Sequence, residues 1–176
     1  MDAAHFVHQA YLGMVWSQER IFIPSPSGRS RYNVLGALNA ITKEIVTVSN
    51  EQYINGESVC AMLAKLAVRK CDNMPITVVL DNARYQRCEV VVEYAKAVGV
   101  ELLFLPSYSP NLNLIERLWK FVKKTCLYSK YYDKFEKFKG AIMECLENRS
   151  AKVMQELETL LTCEFQSFEN IKISAV

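Results

Sequence analysis

Glycine and proline are scarce, at six and five in 176 residues. That excludes a collagen-like chain and a Gly/Pro-rich disordered one. No apolar run approaches the roughly 18–20 residues that a membrane helix needs, so the sequence reads as soluble and without a membrane partner. A basic leader is also missing. The opening "MDAAHFVHQAYLGMVW" has an acid at position 2 and does not read as a secretory signal. The six cysteines, Cys60, Cys71, Cys88, Cys126, Cys145 and Cys163, contain no C-x-x-C pair, which argues against a zinc ribbon. With no secretory signal they read as reduced thiols in a cytoplasm, most of them serving as small buried apolar groups. There are only two histidines, His5 and His8. Three apart in a strand they face opposite ways, so structural roles are expected rather than a shared metal site. Internal repeats and low-complexity segments are absent.

What is present suits one domain with a small helical extension. Apolar residues make up 51% of the chain, enough for a real core. Net charge is only +2, but it is unevenly placed. Residues 1–111 hold ten basic and ten acidic side chains, residues 112–140 eight and three, and residues 141–176 three and six. A basic block between a neutral body and an acidic tail suits a polyanion-facing element, although a solvated helix face has the same composition.

Strands are expected over residues 2–12, 19–28, 31–40 and 43–50, the second ending in a Pro/Ser/Gly turn. A helix is expected over 57–70, where Val59, Met62, Leu63, Leu66 and Ala67 fall at helical spacing. The strand "ITVVL" (76–80) runs into Asp81, a helix over 86–98 stops at Gly99, and the strand 100–105 is closed by Pro106. After the loop "PSYSPNLN" a long helix begins near Leu112, with Ile115, Leu118, Trp119, Val122 and Cys126 as its apolar face. Helical patterns return at about 134–148 and 151–162. Early strands joined by turns pair antiparallel, and later strands separated by helices pair parallel. The fold class is therefore α/β, a mixed sheet flanked by helices.

Three carboxylates stand out. Asp81 ends a strand, where parallel strands deliver side chains into one crevice. Asp-Asn is also good turn chemistry, so Asp81 equally suits a turn or a helix cap. Glu116 lies one turn into the basic helix, with Lys120 and Lys123 on its face; a first-turn Glu paired with Lys120 explains it without any function. Asp2 carries no signal alone. Converging carboxylates repel one another and raise each other's pKa. Divalent cations remove that cost, because Mg²⁺ takes oxygen ligands from one or two carboxylates plus substrate phosphates. Two such ions about 4 Å apart activate a water or a 3′-hydroxyl.

The segments "DAAHF", "GRSRYNVLGALNA", "VLDNARYQ" and "LPSYSPNLNLIERLWKFVKK" resemble the catalytic domain of DDE transposases of the mariner-like superfamily, in the branch found in bacterial insertion sequences. Thirty-four residues separate Asp81 from Glu116, the spacing of that family's second and third acids. The resemblance covers about residues 2–150. It implies an RNase H-like catalytic domain over 1–150, with residues 151–176 as a helical tail packed on it. It matches Asp2, Asp81 and Glu116 to the catalytic acids that hold two Mg²⁺ ions, with Mn²⁺ as a substitute. The implied reaction is cleavage of DNA at transposon ends and strand transfer into target DNA, typically at TA. The implied partners are that DNA and a second copy or a full-length transposase, in a cytoplasm and on the nucleoid. DNA contacts are expected from Arg29, Arg31, Asn82, Tyr108, Ser109, Asn113, Lys120, Lys123 and Lys124, with Asn111 beside them.

Relatives usually carry an N-terminal helix-turn-helix region, and none is expected in this chain. Its opening one residue before the first acid predicts Asp2 on a frayed strand. Leu114 stands where many relatives have proline, which changes the helix start. A second reading follows, a truncated, non-catalytic DNA-binding or oligomerising transposase fragment. An RNase H-fold nuclease acting on other nucleic acids is a third. Trp119 is expected in the core.

Overall fold

A computed structural model describes residues 1–9, 11, 18–20, 22, 28, 30–69, 74–106, 112–148 and 150–162. Strand β1 (Asp2–Val7) pairs antiparallel with β2 (Arg31–Leu38), and β2 with β3 (Ile45–Asn50). Alternation in β2 explains its central place. Tyr32 and Val34 are buried on one face, Leu35 and Ala37 on the other. Asn33, also buried, is satisfied across the sheet: its amide donates to Gln52 O at 3.0 Å and its oxygen meets His5 Nδ1 at 2.7 Å. The β2–β3 turn is tied by Asn39, whose side-chain oxygen accepts from the backbone N–H groups of Ile41 and Thr42. The strand expected over 19–28 falls largely outside the described residues, and Glu19, Arg20, Phe22 and Gly28 are not in a strand.

Helix α1 (Gly56–Ala67) begins with a reciprocal cap between Asn55 and Ser58. Strand β4 (Ile76–Leu80) pairs parallel with β5 (Val100–Phe104). The crossover between them contains a 3₁₀ turn (Arg84–Gln86) and α2 (Glu89–Ala97), which stops at Gly99 with φ 68°. The antiparallel-then-parallel order is thus present. A hydrogen bond from the Met1 nitrogen to Val79 O, at 2.7 Å, links the two sheets.

Helices α1 and α2 cover one face. There Val59, Met62, Leu63, Val91 and Ala95 pack against Leu35, Val46, Val78 and Leu80. The other face is covered by α3 (Ile115–Val122), α4 (Phe135–Glu147) and α5 (Ala151–Leu160), through Leu118, Phe121, Phe138, Ile142 and Leu157. Helix α3 starts three residues later than the apolar pattern suggests, and no side chain caps it. Beyond Val122 it loosens into a π-helical turn (Lys123–Leu127), with Tyr128 N donating to Lys123 O at 2.9 Å. The wider turn lets Cys126 and Leu127 both face inward. In the tail, α5 packs on α3, and Arg117 donates to Thr162 O at 2.9 Å.

His8 is buried, bonds Tyr132 O through Nε2 at 2.9 Å, and lies against the Phe135 and Phe138 rings. Of the cysteines, Cys126 is buried while Cys60, Cys88 and Cys145 are half-buried, and all four are free thiols. Cys71 and Cys163 lie outside the described residues. Among the described residues no helix is long and apolar enough to cross a membrane.

Candidate active site

Each acid is delivered by a different element. Asp2 opens β1, Asp81 follows the last residue of β4, and Glu116 lies in the first turn of α3. Their charges act on one another. The Asp2 carboxyl is pushed above the usual range, first by burial and then by the charge of Asp81. Glu116 is raised too, by burial, then by Asp2, with Lys120 opposing and Asp81 adding. The three therefore lie within electrostatic reach of one another, at one edge of the fold that we call the crevice. Asp81 also keeps some turn character, since Ala83 N approaches its Oδ1 at 3.5 Å, the long limit of a hydrogen bond.

Asp2 is not on a frayed strand. Met1 is only 6% exposed and its nitrogen is bonded to Val79, so the strand is anchored from its first residue. Asp2 Oδ2 accepts from Trp119 Nε1 at 3.1 Å. Trp119 is in the core as expected, but it also brings a donor that burial alone did not suggest. Its ring lies across β2 at Gly36, the residue opposite Asp2. A Cβ on Gly36 would sit 2.6 Å from Trp119 Cη2 and 2.8 Å from Cζ2, far inside contact distance. An isolated glycine in a strand signals such an approach, and "VLGAL" carried that signal.

Tyr85 is a further neighbour that the motifs did not single out. Its phenol is pushed up to about 12, by burial and then by the charges of Asp81 and Asp2, so it is a neutral hydroxyl beside the carboxylates. Its one sequence cue was its place four residues after Asp81.

The expected DNA-contacting residues are scattered. Lys120 and Lys124 are exposed, Lys123 half-buried, and Arg31 exposed at the start of β2. Asn82 spends its amide N–H on Leu105 O, and Asn113 is buried at the start of α3. Neither opens fully to solvent. Arg29, Tyr108, Ser109 and Asn111 lie outside the described residues. A cavity of about 580 Å³ lies between the π-helical turn and α4, lined by Cys126, Lys130, Tyr132 and Cys145 among others, but by none of the three acids.

The family model described as DDE superfamily endonuclease matches residues 1–139. The chain belongs to this family. No curated protein matches it. Among solved structures, this DDE domain is similar to the Mos1 transposase paired-end complex with the left transposon end, at TM-score 0.66 and 14% identity over 88% of this chain and 49% of that one. The Mos1 mariner paired-end complex with Mn gives 0.65 and 14%, over 90% and 51%. The Mos1 transposase catalytic domain with Raltegravir and Mg gives 0.57 and 16%, over 93% and 87%. The chain thus spans about half the length of the Mos1 chains in the two paired-end complexes. The shared fold is RNase H-like.

The donor chemistry of the crevice fits a hard divalent cation, being carboxylate oxygens that repel one another until a cation joins them. The spacing fits less well. Among the described residues no three His, Cys, Asp or Glu side chains come close enough to cage an ion. A cation that keeps its waters and shares substrate phosphates asks for one or two carboxylates, not a cage.

Proposed function

We propose that this DDE domain, as its side chains stand, is a DNA-binding or oligomerising transposase fragment that does not cut. The observation that supports this reading is the open crevice. Asp2, Asp81 and Glu116 feel one another's charge, yet do not close on a common point. Phosphate contacts come from Lys120, Lys123, Lys124 and Arg31, and Arg29, Tyr108, Ser109, Asn82 and Asn113 are the other candidate DNA contacts. The partners are transposon-end DNA, target DNA and a second copy or a full-length transposase, in a cytoplasm and on the nucleoid.

A second reading is Mg²⁺-dependent cleavage at transposon ends followed by strand transfer into TA-type targets. What favours it is the raised pKa of Asp2 and Glu116, the electrostatic cost that a divalent ion relieves. Asp2, Asp81 and Glu116 would hold the ions, two Mg²⁺ with Mn²⁺ as substitute. When bound, such ions activate a water or 3′-hydroxyl and stabilise the leaving oxygen. The chain's own part is to keep Asp2 oriented by Trp119, to keep Tyr85 neutral beside the acids, and to set Lys120 against Glu116.

A Mn²⁺ titration of the chain, with Asp81→Asn and Glu116→Gln as controls, separates the two readings. The non-cutting reading expects no saturable binding that both substitutions abolish, together with retained DNA binding. Saturable binding lost in both variants, followed by strand transfer of a pre-cut end, establishes the second reading instead. Hydrolysis without joining would point to the nuclease reading.

A further inference from the structure

We propose that Trp119 is the positioning residue of Asp2, reaching it through an opening in β2 that only a glycine at position 36 leaves. Four observations meet here. The indole N–H donates to Asp2 Oδ2 at 3.1 Å across 117 residues of sequence. Asp2 and Gly36 are directly paired, so their side-chain directions share a face. The space where Gly36 would carry a Cβ is filled by Trp119 ring atoms. The Phe6 ring meets the indole edge-on, with centroids 6.2 Å apart and planes at 80°.

A buried indole N–H needs an acceptor, and it can only donate. With Trp119 just 5% exposed and its ring held by Phe6, Ile115 and the β2 backbone, the donor's position is fixed by packing. The carboxylate has to follow. Oδ2 is committed to the indole and the Ala3 backbone N–H also bonds the carboxylate, so its orientation is set before any ligand arrives. Carboxylates that ligate metals are typically held in this way by a donor on the other oxygen. The role rests on the second of the two readings above, in which the crevice takes a divalent ion, while the Trp119–Asp2 pairing itself holds under either reading. Trp119 acts through Asp2 and is not itself a ligand.

The test uses the full chain and Mn²⁺ as the probe. Trp119→Phe keeps most of the ring volume and removes the N–H. Mn²⁺ affinity, read by electron paramagnetic resonance, is expected to fall by about 10–100-fold with the circular dichroism spectrum unchanged. A second measurement leaves the core intact. In ¹⁵N-tryptophan-labelled Trp16→Phe protein, the single remaining indole N–H signal should move upfield in Asp2→Asn and broaden as Mn²⁺ is added. A Trp119→Phe affinity within twofold of wild type, or an indole signal indifferent to Asp2→Asn, overturns the proposal. Wild-type protein that binds no Mn²⁺, with an indole signal that still answers to Asp2→Asn, overturns the metal reading and upholds the pairing.

Discussion

Adding a single methyl group to β2 tests the arrangement at the heart of the crevice. In Gly36→Ala the new Cβ would lie 2.6 and 2.8 Å from two Trp119 ring carbons and 3.1 Å from Ile115 Cδ1. Neither neighbour is a free chain end. Ile115 and Trp119 are both buried, at 1% and 5% exposure, so the ring or the strand has to shift. Overpacking of this kind costs about 1–3 kcal/mol. Replacing a strand glycine by alanine returns roughly 0.5–1 kcal/mol of backbone entropy. The net loss is about 0–2.5 kcal/mol, centred near 1 kcal/mol, and each 1 kcal/mol lowers Tm by about 2–4 °C for a chain of this size.

The same substitution elsewhere should have the opposite sign. Gly140 lies inside α4, exposed, with nothing within 4 Å of an added Cβ. Gly140→Ala should gain about 0.4–1 kcal/mol from helix propensity and the less flexible unfolded chain. Thermal unfolding of both variants beside wild type makes the comparison. A Gly36→Ala protein that melts at or above wild type, while Gly140→Ala rises as expected, would falsify the placement of the indole against β2.

Four further outcomes are expected. Asp2 and Glu116 have folded pKa values raised above the unfolded ones, so their stabilisation is full below the ordinary carboxylate range and is lost as pH rises through the raised values; Asp2→Asn and Glu116→Gln should therefore raise Tm at neutral pH and not below about pH 4, as melts across pH will show. Cys145 shares a hydrogen bond with buried Cys126 that lowers its own pKa and raises that of Cys126, so iodoacetamide should label Cys145 before Cys126, as read by peptide mass spectrometry. Each of Lys120, Lys123 and Lys124 that contacts phosphate should, on change to alanine, reduce the slope of log affinity against log salt by about 0.9 in a duplex-DNA binding assay. Phe138→Ala empties a fully buried site ringed by His8, Tyr11, Tyr132 and Phe135 and should cost about 3–5 kcal/mol in a denaturant melt.

How much of this could be read in the chain beforehand depends on the range of the interaction. Strand β4 and the end of α2 are local events, written in alternation, in Gly99 and in the apolar run that stops at Asp81. The acids at the ends of β4 and α3 followed from those local events plus the 34-residue spacing. Both covered faces were visible in α1 and α3. The later start of α3 and its π-helical end were not, because apolar steps of three and four look the same whether the next turn is α or π. The anchoring of Met1 on Val79 was hidden as well, since it depends on β1 meeting β4 across 78 residues.

Gly36 is the most instructive case. In the sequence it is one small residue in a buried strand, a sign that something approaches closely but not of what approaches. The answer appears only when α3 is laid across the sheet and Trp119 is found to need the vacant space. The same contact explains why an acid at position 2, uninformative on its own, is held in a defined orientation. Asp2 belongs to the three-stranded sheet and Asp81 follows the last residue of β4 in the two-stranded one, and the Met1–Val79 hydrogen bond links the two. Trp119 therefore fixes Asp2 relative to α3 and Glu116, while its distance from Asp81 depends on the join between β1 and β4.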